Sequence, residues 1–372
     1  MSIASSESPL ADSVGEIPAL DGADSFPVWR EAVRRAVLDE IGDFLLRACP
    51  SALRRLGAQD ILLQYAMGGK CLRSTFMYLG WLCGAADDRA ALRAAAGLEL
   101  LHAFALLQDD VMDQSETRRG APSAHVRFAA LHRGAGAPGS ATRYGESAAT
   151  LLGDMCLVWA EQMLRESGLP AAALGPVWPY YDTMRLELAT GQFEDLLNDA
   201  RAEPQLTSVL AIARAKSGNY TVRRPLEMGA AMAGCDASVL NALGRYGTAL
   251  GEAFQLRDDL LGIFGAQAVT GKPADSDLGE RTATTVVVLA REMATSSART
   301  ELAELLNRPR LDAADIDRAR ELIAESGAPA RAETMIAELV AGALSALDTA
   351  TFTAPMRAAL GQMATACTER VA

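Results

Sequence analysis

The chain has 372 residues, a length that one large domain or two ordinary domains could fill. Half of the residues are hydrophobic but only 5% are aromatic, which favours a mainly helical core over a β-sandwich or β-barrel. The formal net charge of −12 argues against nucleic-acid binding by bulk electrostatics, so an anionic ligand would have to be held by a few local cations.

The cysteines and histidines argue against a disulfide-linked secreted protein and against a zinc protein. The six cysteines are scattered without a CxxC pair, and only three histidines are present. This distribution predicts reduced thiols in a cytoplasmic protein and makes a His/Cys zinc site improbable. The sequence shows no signal-peptide pattern and no apolar run of about 18 residues, so no membrane span is expected.

Residues 1–24 are small, polar and acidic and are predicted to be disordered, which leaves residues 25–372 as the folded domain. Beyond them, the spacing of apolar residues predicts a succession of helices, with Asp87 or Asp88 as the N-cap of the fourth. The predicted helices cover residues 26–47, 58–67, 70–84, 89–115, 144–167, 171–199, 206–233, 237–264, 283–308, 312–326, 329–350 and 353–369. Glycine and proline predict loops over 131–143 and 265–283. With no useful strand pattern and no internal repeat, the prediction is one all-α domain, a bundle of about ten or more helices around a central cavity.

The stretch 97–120, GLELLHAFALLQDDVMDQSETRRG, brings carboxylates to one end of an apolar helix. At roughly 100° per residue, Asp109 and Asp113 lie about 40° apart on one face, where they would repel each other without a cation between them. Arg118 and Arg119 follow, and their planar guanidinium groups suit phosphate oxygens. The stretch therefore predicts carboxylates, a divalent metal ion and a phosphate at one place.

A second carboxylate pair, Asp258 and Asp259, lies in FQLRDDLLG near the end of another predicted helix. Either pair alone is typical of a solvated helix face. Both pairs, however, are embedded in apolar sequence, where uncompensated carboxylates are costly to bury. Two such helices facing each other would frame a cavity for divalent ions, and an all-oxygen ligand set suits Mg²⁺.

These motifs resemble those of the trans-isoprenyl diphosphate synthases, the polyprenyl synthetase family. DDVMDQSETRRG resembles the family's first aspartate-rich motif and FQLRDD the second. Four further segments follow the family's order: GGKCLR (68–73), GQFED (191–195), AKSGNYT (215–221) and TGKP (270–273). The resemblance implies the isoprenoid synthase fold, a homodimer, and Mg²⁺ with roughly three ions per site and Mn²⁺ able to substitute.

The resemblance also implies a chemistry. An allylic diphosphate ionises when metal ions neutralise its leaving diphosphate, isopentenyl diphosphate attacks the allylic cation, and a proton is lost. It assigns Asp109, Asp113 and Asp258 as direct metal ligands, with Asp110 and Asp259 acting behind them or through water. The residues implied to grip the allylic diphosphate are Arg118, Lys216 and Lys272. Those implied to hold isopentenyl diphosphate are Lys70, Arg73, His102 and Arg119. Those implied to line the region of the cation are Ser217, Tyr220, Gln192 and Gln255.

Taken singly, the same residues have plainer interpretations. Lys70 and Arg73, three apart, could form a solvated helix face, and Lys216 could be an ordinary surface residue. His102 lies among apolar neighbours and could be a core histidine, and Tyr220 could be core as well. Only the ordered context favours the site.

Three departures from the family pattern are visible. Cys71 and Ser74 stand where arginine and proline are usual, which predicts weakened acceptor binding. Gly262 stands where a third aspartate is common in the second motif. In DLGERTATT, Thr282 stands where a lysine is usual, and the adjacent Arg281 could substitute for it.

Product length is predicted from Phe104 and Ala105. Phe104 lies five residues before Asp109, about 7.5 Å along the helix axis, and Ala105 is one turn before Asp109 on the same face. A bulky residue at that fifth position resembles short-chain synthases that make geranylgeranyl diphosphate. The alternative is that Phe104 is ordinary core.

The predicted function is therefore a prenyltransferase that uses isopentenyl and allylic diphosphates, with geranylgeranyl diphosphate as the expected product for terpenoid biosynthesis. Two alternatives remain open at this point. One is a synthase-like terpene cyclase, a lyase that ionises a prenyl diphosphate without elongation. The other is a non-catalytic subunit of a heteromeric synthase, against which the intact DDVMD and Arg118-Arg119 argue.

Overall fold

The computed structural model describes residues 17–22, 25–199, 205–265, 278, 284–308 and 310–369. Helices dominate these residues, which confirms the predicted all-α class. The first helices are α1 (Phe26–Ala48), α2 (Ser51–Arg55), α3 (Ala58–Ala66), α4 (Leu72–Leu82), α5 (Arg89–Met112), α6 (Ala124–Gly134), α7 (Ala141–Arg165), α8 (Ala171–Leu174) and α9 (Trp178–Asp199). They are followed by α10 (Leu206–Ala213), a π-helix (Arg214–Arg223), α11 (Arg224–Met232), α12 (Ala237–Phe264), α13 (Thr285–Met293), α14 (Ser296–Leu306), α15 (Ala313–Glu325), α16 (Ala328–Ala346) and α17 (Ala354–Thr368). Short 3₁₀ turns cover Gly175–Val177 and Leu347–Thr349.

Helix α5 runs through the core and delivers the first aspartate motif. Asp88 is its N-cap, as predicted, because the Asp88 side chain accepts a 2.6 Å hydrogen bond from the backbone N–H of Ala90. Among the described helices, α5 is the one long and apolar enough to cross a membrane, but 67% of its apolar window is buried inside the fold. It is therefore a core helix whose apolar residues pack against protein.

Two hydrophobic clusters make up the core, and α12 joins them. The larger cluster packs α5 against α1, α3, α4, α7, α11 and α17, and it includes Leu243 and Leu250 of α12. The smaller cluster packs α13–α16 around the end of α12, at Leu256, Leu260 and Ile263. The predicted helix 237–264 is confirmed at both ends, with Asp236 as its N-cap. Asp258 and Asp259 therefore lie on a helix anchored in both clusters.

A two-residue turn presents the arginine pair that follows α5. Strands β1 (Thr117–Arg118) and β2 (Ala121–Pro122) pair antiparallel, with Arg118 opposite Ala121. The turn residues Arg119 and Gly120 both have positive φ, 54° and 75°, as a type I′ hairpin requires. The sequence prediction contained no strand here, since two-residue strands are too short to show alternation.

Several helix boundaries differ from the predictions. The predicted loop 131–143 is wrong at both ends, because α6 extends to Gly134 and α7 begins at Ala141. The predicted helix 206–233 contains the π-helical segment, and the predicted helix 283–308 is two helices separated by a break at Ala294, with Thr295 capping the second. In the N-terminal segment predicted to be disordered, Ile17 and Leu20 are described and pack against the larger cluster.

The π-helix and α12 touch backbone to backbone at two glycines. A Cβ atom added to Gly251 would lie 2.5 Å from Cα of Gly218, closer than real Cβ contacts allow. Gly251 is buried in α12, and Gly218 follows Lys216 and Ser217 on the π-helix. The position of the AKSGNYT motif therefore depends on glycine at this crossing.

We expect Gly251→Ala to lower the free energy of unfolding by about 1–3 kcal/mol, because the added methyl group must push the two backbones apart. The measurement is urea unfolding followed by circular dichroism. Gly342→Ala is the matched control: Gly342 is exposed in α16 with no atom near the added Cβ, so alanine should stabilise by about 0.5–1 kcal/mol. Equal effects at the two positions would contradict the close crossing.

Candidate active site

A cavity of about 900 Å³ lies beside α5, bounded by α4, α7, α9 and the π-helix. Its wall contains many of the residues singled out in the sequence: Arg73, His102, Phe104, Ala105, Asp109, Gln192, Lys216, Ser217 and Tyr220. Most of the rest of the wall is apolar: Leu106, Met112, Leu157, Leu186, Leu188, Ala189, Phe193 and Leu196. A mainly apolar cavity with charged groups from three motifs suits a ligand with a hydrocarbon chain and an anionic head.

Lys216 brings the first aspartate motif together with the GQFED segment. Its Nζ lies 3.5 Å from Oδ1 of Asp109 and 2.7 Å from Oδ2 of Asp195. Burial opposes the charge on Lys216, but the Asp109 and Asp195 carboxylates outweigh it, with Asp113 adding to them, and raise the pKa of the ammonium group. Lys216 is therefore a permanent cation between carboxylates of two different helices.

Asp195 is a functional candidate that the site prediction missed. Asp195 lies on α9 and is partly buried, and its carboxylate accepts the hydrogen bond from Nζ of Lys216. Its signal was present in the sequence, as the last residue of the GQFED segment (191–195). Its partner could not be inferred, because it is 21 residues away and on a different helix.

The two adjacent aspartates of the first motif have different environments. Asp109 is 26% exposed at the cavity, whereas Asp110 is fully buried beneath it. Asp110 accepts hydrogen bonds from Oη of Tyr65 at 2.5 Å and from Nε of Arg118 at 2.8 Å. Burial raises the pKa of Tyr65, and the Asp110 carboxylate raises it further, so the phenol stays protonated and donates. Asp110 therefore acts as an anchor, meaning that its hydrogen bonds fix the first aspartate motif to α3 and to the hairpin.

Arg118 and Arg119 point in different directions because they occupy successive positions of the hairpin. The guanidinium of Arg118 lies between the two aspartates, bonded to Asp110 and 3.6 Å from Oδ2 of Asp109. Arg119 instead donates to the backbone carbonyls of Gln64 and Tyr65, both at 3.2 Å. It lies against the GGK loop, since a Cβ atom added to Gly68 would be 2.0 Å from Nη1 of Arg119.

Arg73, His102 and Tyr220 form one group on the cavity wall. The Arg73 guanidinium stacks 4.3 Å from the ring centre of Tyr220 and donates to Oγ1 of Thr221 at 2.9 Å. Burial lowers the pKa of His102, and the neighbouring Arg73 and Arg119 charges lower it further, so its imidazole is neutral at pH 7. Nε of Arg73, Nδ1 of His102 and Oη of Tyr220 are buried without a hydrogen-bond partner in the described part of the chain.

The two departures from the family pattern in the GGKCLRS segment have different local environments. Cys71 is buried and adopts a positive φ of 48° just before α4. Ser74 donates two hydrogen bonds to Oε1 of the buried Glu99, from its backbone N–H at 3.2 Å and from Oγ at 2.8 Å. A proline at position 74 would lack that N–H.

The second aspartate motif lies away from this cavity wall. Asp259 is buried and accepts hydrogen bonds from Nε2 of Gln255 at 2.7 Å and from the N–H of Thr285 at 2.9 Å, which ties the end of α12 to α13. Asp258 next to it is partly buried. The predicted site residue Lys272, together with Arg281 and Thr282, lies outside the described residues.

The carboxylates fit a hard divalent cation that is held jointly with a ligand. Within the described residues, no three Asp, Glu, His or Cys side chains are grouped as a complete metal site. Mg²⁺ commonly uses one or two protein carboxylates and takes its remaining ligands from water and substrate phosphates. Asp109 at the cavity and Asp113, the exposed C-cap of α5, meet that requirement.

Comparisons with known proteins identify the family. A family model for polyprenyl synthetase matches residues 58–323. The chain is 34% identical over 283 residues to a geranylgeranyl diphosphate synthase of Mycobacterium tuberculosis, covering 76% of this chain and 75% of that protein. It is 31% identical to a geranylfarnesyl diphosphate synthase of Aeropyrum pernix, covering 72% of this chain and 79% of that protein.

A solved structure is similar over most of its length. The geranylgeranyl pyrophosphate synthase of Corynebacterium glutamicum, in complex with isoprenyl diphosphate and magnesium, is 35% identical and superposes with a TM-score of 0.85. The match covers 94% of this chain and 99% of that one. Motifs, fold and relatives agree, and the chain belongs to the polyprenyl synthetase family of prenyltransferases.

Proposed function

We propose that this protein is a magnesium-dependent geranylgeranyl diphosphate synthase that joins an allylic diphosphate to isopentenyl diphosphate. The observation that carries the proposal is the apolar cavity of about 900 Å³ with Asp109, Lys216, Arg73 and His102 on its wall. Its volume is at the upper end of the roughly 300–1,000 Å³ typical of small-molecule sites, as a long prenyl chain requires. The Corynebacterium relative carries isoprenyl diphosphate and magnesium, which supports the ligand class.

Different residues of the chain would bind the metal ion and the leaving diphosphate. Asp109 and Asp113, with Asp258 of the second motif, would hold Mg²⁺, which supplies positive charge for a leaving diphosphate. Lys216 adds a permanent cation at the same place, with Arg118 beside it and Lys272 proposed from the motif alone. The apolar wall excludes water from the allylic cation.

The acceptor would bind on the other side of the reacting carbons. Arg73 and His102 present buried polar atoms to the cavity, and Arg119 with Lys70 would hold the acceptor diphosphate. Neutral His102 donates a hydrogen bond without adding a second charge. Ser217, Tyr220 and Gln192 line the same cavity, and Gln255 on α12 is the remaining polar residue proposed near the cation.

Phe104 and Ala105 are proposed to limit the length of the product. Both side chains line the cavity on α5, below Asp109. We expect Phe104→Ala to lengthen the main product by at least one isoprene unit, because it removes bulk from the path of the growing chain. Ala105→Phe should shorten the product, because it adds bulk one turn from Asp109.

The measurement is chromatography of the dephosphorylated products at saturating substrates. Phe352→Ala is the control, since Phe352 is also half-buried but lies against the core away from the cavity. If Phe104→Ala and Ala105→Phe give the wild-type product profile, the length-setting role is wrong.

One assay tests the function itself. Purified protein is incubated with Mg²⁺, isopentenyl diphosphate and each allylic diphosphate, and products are extracted before and after phosphatase treatment. Alcohols of twenty carbons that appear only after phosphatase treatment support the proposal. Their chain length is measured by comparing their elution with that of prenyl alcohol standards of about C15 to C25. Hydrocarbons released without phosphatase would indicate a cyclase, and absence of turnover would indicate a non-catalytic subunit.

We further propose a cytoplasmic homodimer formed through α7 and α9. Both helices expose large apolar side chains: Leu151, Val158, Leu186, Phe193 and Leu197, each 60–70% exposed. Exposed apolar residues on neighbouring helices are typical of an interface. Sedimentation equilibrium gives the mass in solution, and a monomer at micromolar concentration would contradict the dimer.

A further inference from the structure

The π-helix (Arg214–Arg223) that carries Lys216 lies close against α9. A Cβ atom added to Gly191 of α9 would lie 3.0 Å from the backbone nitrogen of Lys216 and 3.2 Å from its Cβ. A glycine lets two helices approach each other, but it has no side chain that interlocks with the facing helix and opposes sliding along it. Contacts on either side of Gly191 therefore have to fix where Lys216 lies along α9.

Two ion pairs flank this glycine contact. On one side, Nζ of Lys216 lies 2.7 Å from Oδ2 of Asp195. On the other side, Arg224 makes two hydrogen bonds to Glu187 of α9, from Nε at 2.9 Å and from Nη2 at 2.5 Å. Arg224 follows Lys216 by eight residues and Glu187 precedes Asp195 by eight, as expected for two antiparallel segments in one register. At 1.5 Å per residue, the two pairs are about 12 Å apart along α9.

Arg224 is placed to fix this register because it is buried and bonded on two sides. Its side chain is only 11% exposed, and its Nη1 donates to Oε2 of the buried Glu227 at 2.7 Å. Burial opposes the charge on Arg224, but Glu187 and Glu227 outweigh it and raise the pKa of the guanidinium group. The planar guanidinium also fixes direction, because it bonds both oxygens of Glu187 at once.

We infer that Arg224 is a positioning residue for the reaction: its bond to Glu187 fixes the π-helix along α9 and so holds Lys216 between Asp109 and Asp195. Arg224 and Glu187 are not among the residues that line the cavity, so they act through Lys216. The inference rests on the proposed function, in which Lys216 binds the leaving diphosphate. A displacement of about 1 Å caused by a distant change can cost about 10²-fold in rate.

The test variant is Glu187→Gln, which removes the charge of the side chain and keeps its shape. Arg224 keeps Glu227 as its partner, so the variant should fold, and circular dichroism checks that it does. We expect the KM for the allylic diphosphate to rise about tenfold, the loss expected for one charge-assisted contact, and the KM for isopentenyl diphosphate to stay unchanged. A merely structural role would lower the amount of active enzyme and leave both KM values as they are, and that result would contradict the inference.

The matched control is Arg223→Gln. Arg223 donates to the same Glu227, at 2.9 Å, but in the described part of the chain it has no bond to α9. Both KM values and kcat should therefore equal those of the wild type. In a Lys216→Met background, Glu187→Gln should raise the KM for the allylic diphosphate no further, because its effect is transmitted through Lys216. Independent effects of Lys216→Met and Glu187→Gln would contradict the inference.

A second measurement follows the position of Lys216 without turnover. Lys216 is one of three lysines in the chain, so acylation of its amine can be followed by peptide mass spectrometry. In EDTA, Glu187→Gln should accelerate this acylation about tenfold, because an amine released from Asp109 and Asp195 is more accessible, and Arg223→Gln should react like the wild type. Unchanged acylation in Glu187→Gln would overturn the inference. A wild type that does not turn over would instead overturn the proposed function.

Discussion

Replacing Asp109 by asparagine is expected to lower kcat about 10³-fold while leaving the protein folded. Asp109 contributes its carboxylate to the cavity wall, between Lys216 and Arg118 at 3.5 and 3.6 Å. Asparagine has nearly the same shape, so the wall is preserved and only the charge is lost. The substitution thereby removes one of the few charged oxygen ligands that could hold a divalent ion against the leaving diphosphate.

The structure gives a reason why the loss should be confined to activity. Lys216 keeps its 2.7 Å partner Asp195, and Arg118 keeps its bonds to Asp110, so neither cation is left without a carboxylate. The free energy of unfolding should therefore change by less than about 1 kcal/mol. Kinetics at saturating substrates and urea unfolding measure the two quantities, and titration of Mg²⁺ should show a higher concentration for half-maximal rate.

The same substitution at an exposed aspartate of α1, Asp43→Asn, is the control and should leave kcat and stability unchanged. An Asp109→Asn enzyme that turns over within about fivefold of the wild type would exclude a direct role for this carboxylate in catalysis. Asp109→Glu should recover part of the rate, because it restores the charge at a shifted position.

The long helices could be read from the sequence because local pattern determined them. α12 begins and ends where its apolar spacing predicted, and α5 begins directly after the predicted N-cap Asp88. The π-helix could not be predicted in this way, because its residues have an ordinary helical pattern and its wider turn accompanies the contact between Gly218 and Gly251 of α12. Tertiary packing, which no local window contains, decided the geometry there.

The candidate site was predictable as a set of residues but not as a set of contacts. The motif order identified Asp109, His102, Lys216 and Tyr220, which line one cavity. It could not show that Lys216 pairs with Asp195, nor that Arg34 of α1 bonds to the Gly69 carbonyl, since these partners are 21 and 35 residues apart. The resemblance implied different roles for Asp109 and Asp110, but it could not show that Tyr65 and Arg118 are the partners of the buried Asp110.

Asp110 should affect stability far more than its neighbour does. We expect Asp110→Ala to lower the free energy of unfolding by about 3–5 kcal/mol, because it leaves the charge of Arg118, whose side chain is only 11% exposed, without its closest carboxylate. It also leaves Oη of Tyr65 without an acceptor, although Tyr65 still accepts from the N–H of Ala124 at 2.9 Å. The anchor thus connects α3, α5, the hairpin and α6, and its loss should loosen all four together.

A double-mutant cycle separates the anchor from simple packing. Arg118→Met alone should lower the free energy of unfolding, because Asp110 is then buried with only Tyr65 as a partner. The double variant Asp110→Leu/Arg118→Met should lose less free energy of unfolding than the sum of the losses of its two single variants. Urea unfolding gives all four free energies. Asp317→Ala is the matched control, since its ion pair with Arg320 is at the surface and its side chain is 72% exposed, so the change should be below about 1 kcal/mol. Strict additivity at Asp110 and Arg118 would show that the two side chains are not coupled, and the first aspartate motif would then owe its position to the packing of α5 alone.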